Sequence, residues 1–141
     1  ITILRLPGIY GYGDNYKSTI GKFIKDSLNK GEVTIINDGH ELRDYVEIND
    51  LCKIVNHFIV NPFNGPVVVA SGKSIKVREI VNIITNLIDN NIAIKSVKTD
   101  SPGSDLIFNN NLIRSIMPSF TFTELKTGIS KYLIKTNLLI Q

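Results

Sequence analysis

An arginine at the start of a short strand is the residue whose type and position most clearly indicate a binding role. Asp38-Gly39 is typical of a turn, and Arg43 follows it at the start of the apolar run that ends at Ile48. The guanidinium carries paired donors and a permanent charge, which suits it to bind a diphosphate, and a strand would hold it still. The alternative is a surface arginine that pairs with Glu41 or Asp44.

The acidic residues after Arg43 have structural explanations. Asp44 can orient the arginine or bond the turn, and Asn49 or Asp50 can cap a helix that begins there. We therefore expect structural roles for Asp44 and Asp50.

Strand and helix patterns alternate along the whole chain. Apolar or alternating runs predict strands at 1–6, 33–36, 43–48, 67–70 and 92–97. Helical spacing predicts helices at 18–30, 51–59, 77–88, 110–116 and, after a capping-box pattern at Thr121 to Glu124, up to Leu133. The run Val67 to Ala70 is typical of a strand buried on both faces. Together they predict an α/β fold with a small, mostly parallel sheet and flanking helices.

Composition excludes several classes of protein. The 141 residues suit a single domain, with 43% hydrophobic and 21% charged residues and a net charge of +3. The Lys and Arg residues are scattered, so nothing indicates nucleic-acid binding. The single cysteine, Cys52, cannot form an internal disulfide, and no apolar run is long enough to span a membrane. We expect a cytoplasmic protein.

The segment Leu4 to Gly11, together with Arg43 to Asp50, resembles the C-terminal half of the NAD-dependent sugar-nucleotide epimerase/dehydratase family, the extended short-chain dehydrogenases. The resemblance runs from about Ile1 to about Lys135. It implies the C-terminal part of an extended Rossmann-type fold. Residues 1–141 would then be one substrate-binding domain, and residues 1–11 would be a last-strand segment of a Rossmann domain missing from this chain.

The same resemblance implies roles for particular residues. Arg43 matches the arginine that binds the substrate's diphosphate, and Pro7 matches a residue whose backbone touches the nicotinamide carboxamide of the cofactor. The substrate-binding positions it implies are Arg43, Thr34, Ile35, Ile36 and Gly8. The segment 34–36 would lie along the nucleotide base and ribose, where a strand backbone can bond a base edge. A plain strand at 33–36, and a plain strand stop at Pro7-Gly8, are the alternatives.

Three positions depart from the family's pattern. Gly8 stands where many of these enzymes have an asparagine that reaches the substrate, and Ser101 stands where a second arginine clamps a phosphate. Ile36-Asn37 replaces an aromatic residue followed by glycine, so a stacked base would be held less well. Either the substrate is bound differently, or it is not a conventional nucleotide sugar. Arg114 is close to Ser101 in sequence, but we expect it on a helix surface.

The parts that carry out hydride transfer in this family are not found in the sequence. There is no glycine-rich dinucleotide fingerprint, for which Gly11-Tyr12-Gly13 is too short, and no Tyr-x-x-x-Lys. Tyr132 has Lys135 only three residues later, so we reject it as the catalytic tyrosine. We therefore predict no catalytic residue and no bound cofactor in the isolated chain. NAD(P) would bind the full-length enzyme, which would include an N-terminal Rossmann domain and could form a homodimer.

Other candidates have ordinary explanations, and other functions stay open. His40 and His57 lack partners at metal-ligand spacing, Cys52 is expected to be a small core residue, and Lys17 a solvated one. Besides the nucleotide-sugar enzyme, the scaffold is compatible with a reductase of another alcohol or ketone. It is also compatible with a non-catalytic binding module.

Overall fold

The computed structural model describes residues 1–101 and 103–136, so Pro102, in the predicted loop 100–105, lies outside the described residues. Strands and helices alternate along the described chain. In chain order they are β1 (Thr2–Arg5), β2 (Gly8–Tyr10), α1 (Thr19–Lys30), β3 (Glu32–Ile36), β4 (Leu42–Arg43), β5 (Tyr45–Glu47), α2 (Ile48–Val60), β6 (Gly65–Val68), β7 (Ile75–Lys76), α3 (Val77–Ile88), β8 (Ala93–Val97), α4 (Asn111–Ile116) and α5 (Leu125–Lys135).

The strands associate in pairs. β1 pairs with β6, β2 with β5 and β3 with β8, all in parallel, while β4 and β7 are antiparallel. Parallel partners need a crossover between them, and the helices provide it. The predicted α/β class with mostly parallel strands and flanking helices is therefore confirmed, although the described residues form four two-stranded sheets in place of the single sheet predicted.

Two apolar clusters hold these pairs together. The larger joins β3 to α1, α3 and α5 through fully buried side chains such as Ile24, Val33, Ile84 and Leu133. The smaller joins α2 and α4 to β6, with Ile54 and Val67 completely buried. None of the described helices is long and apolar enough to cross a membrane.

Local interactions define both ends of the predicted helix α1. Ser18 caps its start, where the hydroxyl accepts a hydrogen bond from the Gly21 amide at 2.9 Å. Gly31 ends it with a φ of 63°, in the left-handed region that glycine enters without a steric cost. Local sequence signals therefore fix this helix at both ends.

The predicted strand at 43–48 is wrong as a single element. It breaks at Asp44 into β4 and β5, and Ile48 already belongs to α2. The strand predicted at 1–6 ends at Arg5, before Pro7 as predicted, and Gly8 begins a separate strand, β2, beside β5.

The capping predictions for α2 and α5 are also wrong. The carboxylate of Glu47, rather than Asn49 or Asp50, caps α2 by accepting the Asn49 amide at 2.9 Å. On α5, the N-cap is Glu124 without a side-chain hydrogen bond, so the capping box predicted from Thr121 does not form. Within α2, the predicted apolar stripe is only partly buried, since Val55 and Ile59 are exposed.

Candidate functional site

Arg43 lies in β4 with its guanidinium held by backbone carbonyls. Nη1 donates to the oxygens of Leu42 at 2.8 Å and Ser104 at 2.5 Å. Among residues 1–101 and 103–136, no carboxylate forms an ion pair with Arg43, and only Nη1 has a hydrogen-bond partner. Pairing with Glu41 or Asp44, the alternative raised by the sequence, is therefore not observed. Nε and Nη2 remain as donors for an anion.

The side chain of Asp44, the next residue, is buried and hydrogen-bonded within the fold. Its side chain is only 2% exposed, and it accepts the amides of Ser71 at 3.1 Å and Gly72 at 2.8 Å. The predicted structural role is confirmed, although the turn it bonds is 71–72 and not the one before Arg43. These bonds fix the end of β4 beside the chain that leads into β7.

The segment after Ser101 lies against β4 from the other side. Asp105 accepts the Leu42 amide at 2.8 Å, and the Leu106 amide donates to the Leu42 carbonyl at 2.9 Å. Ser101 itself is exposed, and its carbonyl accepts a hydrogen bond from Asn37 at 3.1 Å. The structure therefore places residues 104–106 beside β4 and Arg43.

The strand predicted to follow the nucleotide presents its residues alternately. Thr34 and Ile36 are exposed, whereas Ile35 is 1% exposed and packs in the larger apolar cluster. Ile35 can therefore reach a ligand only through its backbone. Within the described residues, β3 is paired on one edge only, with β8. Its other edge has no strand partner among these residues.

A tyrosine explains why residue 8 is glycine. Gly8 lies opposite Tyr45 in the parallel pair of β2 and β5, and a Cβ at Gly8 would lie 2.5 Å from two carbons of the Tyr45 ring. The ring fills the space that a side chain at position 8 would need. Pro7, the predicted cofactor neighbour, is half-buried in the link between β1 and β2.

Sequence reasoning overlooked Tyr45, although it directly follows the Arg43-Asp44 pair. Burial raises the pKa of its phenol, and a hydrogen bond with Thr19 and the nearby Arg43 charge oppose this shift. The phenol is therefore protonated at neutral pH. The ring also meets the buried Tyr10 edge-on, with 6.3 Å between centroids.

Several other residues that were candidates for a functional role have structural contacts or exposed positions. The Tyr132 hydroxyl donates to Asp14, and burial and this contact raise its pKa, so it ties α5 to the loop before α1. His40 and Lys17 are exposed, and His57 meets Phe58 edge-on. Cys52 is exposed, so its prediction as a core residue is wrong, because it faces outward from α2. The described part of the chain contains no group of three metal-ligating side chains.

A cavity among the described residues lies beside Tyr45. It has a volume of about 780 Å³ and is lined by the 71–75 and 120–126 segments, with Arg114 at its edge. Arg43 is not part of its lining. The sequence did not indicate this cavity, because its walls come from segments far apart along the chain.

Comparison with known proteins identifies the family. The sequence model of the NAD dependent epimerase/dehydratase family matches residues 1–83. The chain belongs to this family. The predicted family is therefore confirmed. A search of curated proteins found no match.

Solved structures share the fold over almost the whole chain. An NAD-dependent NDP-hexosamine 5,6-dehydratase of tunicamycin biosynthesis matches 96% of this chain and 45% of its own, with a TM-score of 0.86 and 17% identity. A UDP-N-acetylglucosamine 4-epimerase from Methanobrevibacter ruminantium M1 matches 96% and 46%, at 0.79 and 24%. The ADP-L-glycero-D-manno-heptose-6-epimerase of Helicobacter pylori matches 98% and 44%, at 0.82 and 20%. The chain thus spans slightly less than half the length of these proteins.

Proposed function

We propose that this chain forms the substrate-binding part of an NAD(P)-dependent enzyme that epimerises, dehydrates or reduces a nucleotide sugar. The observation that carries the proposal is the state of Arg43: a half-buried arginine, fixed by two carbonyls, with two donor nitrogens unused among the described residues. A diphosphate supplies the charge and the paired acceptors that such a fork binds best.

We assign the other contacts to the substrate and the cofactor relative to Arg43. The free edge of β3, through Thr34, Ile36 and the backbone of Ile35, would lie along the base and ribose. The sugar would extend toward Gly8, where the Tyr45 ring stands in for a side chain. Pro7 would touch the nicotinamide carboxamide through its backbone.

Within the described residues, the short Gly-Tyr-Gly segment does not provide a dinucleotide site. Gly11, the first glycine of the short Gly-Tyr-Gly segment, is buried, and a Cβ there would lie 2.4 Å from Ile48. Its backbone therefore offers no open cradle for a pyrophosphate. When bound, NAD(P) supplies the hydride acceptor. We propose that a Rossmann domain outside this chain holds it, and that the chain alone binds no cofactor and is inactive.

The proposal also covers the assembly of this chain with a partner and the location of the protein in the cell. Apolar side chains on β1 and α2 are exposed, with Ile3 at 54% and Ile59 at 71%, and such side chains suit contact with a Rossmann partner or a second copy. A cytoplasmic location fits an enzyme that uses soluble cofactors and nucleotide sugars.

A second candidate is a reductase of a non-sugar alcohol or ketone on the same scaffold. Two observations favour it: Gly8 carries no side chain toward the substrate, and Ser101 replaces a possible second arginine. Such an enzyme would not need a diphosphate at Arg43.

Calorimetric titration of UDP, GDP, dTDP and UDP-glucose into the chain separates these candidates. We expect one base to bind selectively, and Arg43→Ala to weaken it by about 1.5–3 kcal/mol, the range for a charge-assisted hydrogen bond. Arg78→Ala is the matched control, since it removes the same charge from an arginine already bound to Asp38. Equal affinity in Arg43→Ala and the parent would refute the diphosphate role. No binding of any nucleotide would leave two explanations, a site completed by the missing Rossmann domain or a different class of substrate, and the same titration of the longer chain separates them.

A further inference from the structure

The cavity beside Tyr45 has walls that buried polar side chains hold in place. Asp44 fixes the 71–72 turn, and Asn110, 8% exposed, donates to the carbonyls of Ala70 and Ser71 at 3.1 and 2.8 Å. On the opposite wall, Asp50, 1% exposed, accepts the Thr123 amide at 2.6 Å. A cavity of about 780 Å³ with fixed walls falls in the size range of small-molecule sites.

Its interior combines apolar surface with hydroxyl groups. Ile75, Ile83 and the edge-to-face pair of Phe120 and Phe122, with 5.1 Å between ring centroids, supply the apolar part. Ser71, Ser74, Thr121 and Thr123, which carry hydroxyl groups, are also among its lining residues. Such an interior suits a ligand with a flat apolar body.

The charges at its edge are mostly positive. Lys73, Arg114 and Lys126 line the cavity, and Glu124 is the one carboxylate among its lining residues. Lys73 already pairs with Glu124 at 2.6 Å, an ion pair that joins two of the lining segments. Within the described residues, Arg114 and Lys126 take part in no ion pair, so their charges are available to an anion.

We propose that this cavity is a second binding site, for an organic anion with a flat apolar body. The body lies between Ile75, Ile83 and the phenylalanine pair, and the anionic group meets Arg114 and Lys126. The site goes beyond the proposed function because it uses none of the nucleotide contacts at Arg43 or β3. The exposed Lys73–Glu124 pair is weak, and an incoming anion competes with Glu124 for Lys73.

Titration with 1-naphthyl phosphate, followed by amide NMR, tests the proposal. Two control compounds separate the features of this probe. Inorganic phosphate carries the charge without the ring, and 1-naphthol carries the ring without the charge. We expect 1-naphthyl phosphate to bind more tightly than either, and to shift the amides of 71–75 and 121–126. Shifts confined to other segments, or no gain over phosphate and naphthol, would overturn the proposal.

Variants of opposite expected effect sharpen the test. Arg114→Ala and Lys126→Ala should each weaken binding about two- to fivefold, as for exposed charge pairs, and Glu124→Gln should strengthen it by a similar factor. Lys22→Ala and Glu79→Gln change the same charges at exposed positions outside the cavity, and should have no effect. Arg43→Ala should leave this binding unchanged, so a failed nucleotide titration does not decide it. Equal effects of the cavity and control variants would show nonspecific attraction and contradict the site.

Discussion

Arg43 and Arg78 lie in comparable positions near the ends of short strands, but their surroundings differ. Arg78, in the first turn of α3, donates from Nε to the Asp38 carbonyl at 3.0 Å, and its Nη2 lies 3.9 Å from an Asp38 carboxylate oxygen. Arg43 contacts only neutral carbonyls among the described residues, through one nitrogen. Arg78 is used within the fold, whereas Arg43 keeps charge and donors for a ligand.

The difference shows how the same residue type acquires a different role. Asp38 lies beside Arg78 and Lys98, so its charge is compensated locally. Beside Arg43, the acidic residue is Asp44, but its carboxylate is taken by two backbone amides of the 71–72 turn. A carboxylate next to an arginine in the sequence therefore does not neutralise that arginine when the carboxylate accepts hydrogen bonds elsewhere in the fold.

The largest effect is expected from Asp44→Ala. Ser71 and Gly72 would lose the acceptor of their amides in a buried environment, which costs about 2–4 kcal/mol of unfolding free energy. Urea denaturation measures this loss, and Asp44→Asn, which keeps one acceptor oxygen, should lose less. A loss below about 0.5 kcal/mol, typical of a plain surface substitution, would contradict the commitment of Asp44 to the fold.

Gly8→Ala should destabilise the chain by about 1–3 kcal/mol, the usual cost of overpacking. The new methyl group would lie 2.5 Å from the Tyr45 ring, so one of them must move. In a Tyr45→Ala background the same substitution should cost much less. A double-mutant cycle by thermal unfolding measures the coupling, and additive effects would show that the ring does not occupy the space over Gly8.

Arg43→Lys should weaken nucleotide-diphosphate binding by about 1 kcal/mol, less than alanine, because lysine keeps the charge but loses the planar fork. The same change at Arg78 should leave the affinity unaltered. Competition calorimetry with UDP or the base selected above compares the two variants. If Arg43→Lys binds like the parent, charge alone accounts for recognition and the fixed fork is not needed.

The smallest effect concerns the compensated charge of Asp38. Its pKa is lowered from 3.8 to about 2, first by the hydrogen bond from Lys98 and then by that from Ser96, with further help from the charges of Lys98 and Arg78. A lowered carboxyl pKa adds stability above pH 3.8 that is lost as the pH falls toward 2. Lys98→Ala should raise the pKa toward its ordinary value, which a carboxyl-carbon NMR titration measures. An unchanged pKa would show that Lys98 does not compensate Asp38.

The parts of the fold set by local sequence could be predicted, and those set by distant contacts could not. Ser18 and Gly31 mark the ends of α1 through bonds within a few residues. By contrast, β7 has only two residues and exists because β4 pairs with it. Asp50 looks like a helix cap in sequence, but the amide of Thr123, 73 positions later, takes its carboxylate.

The candidate site divides in the same way. The suitability of Arg43 for a phosphate follows from its residue type and from the turn and strand around it. Its unused donors, the Tyr45 ring over Gly8 and the cavity beside that ring depend on residues brought together from separate segments. No periodicity or spacing in the sequence contains these contacts.

The most direct test of the central claim follows the side-chain Nε–H signals of the arginines by NMR while UDP, or the nucleotide diphosphate selected by calorimetry, is added. Because Nε of Arg43 has no partner among the described residues, we predict that its signal moves with saturation, in step with calorimetric binding. The Arg78 signal should stay in place, since its Nε already donates to Asp38. Saturable nucleotide binding that leaves the Arg43 signal unmoved would contradict the account.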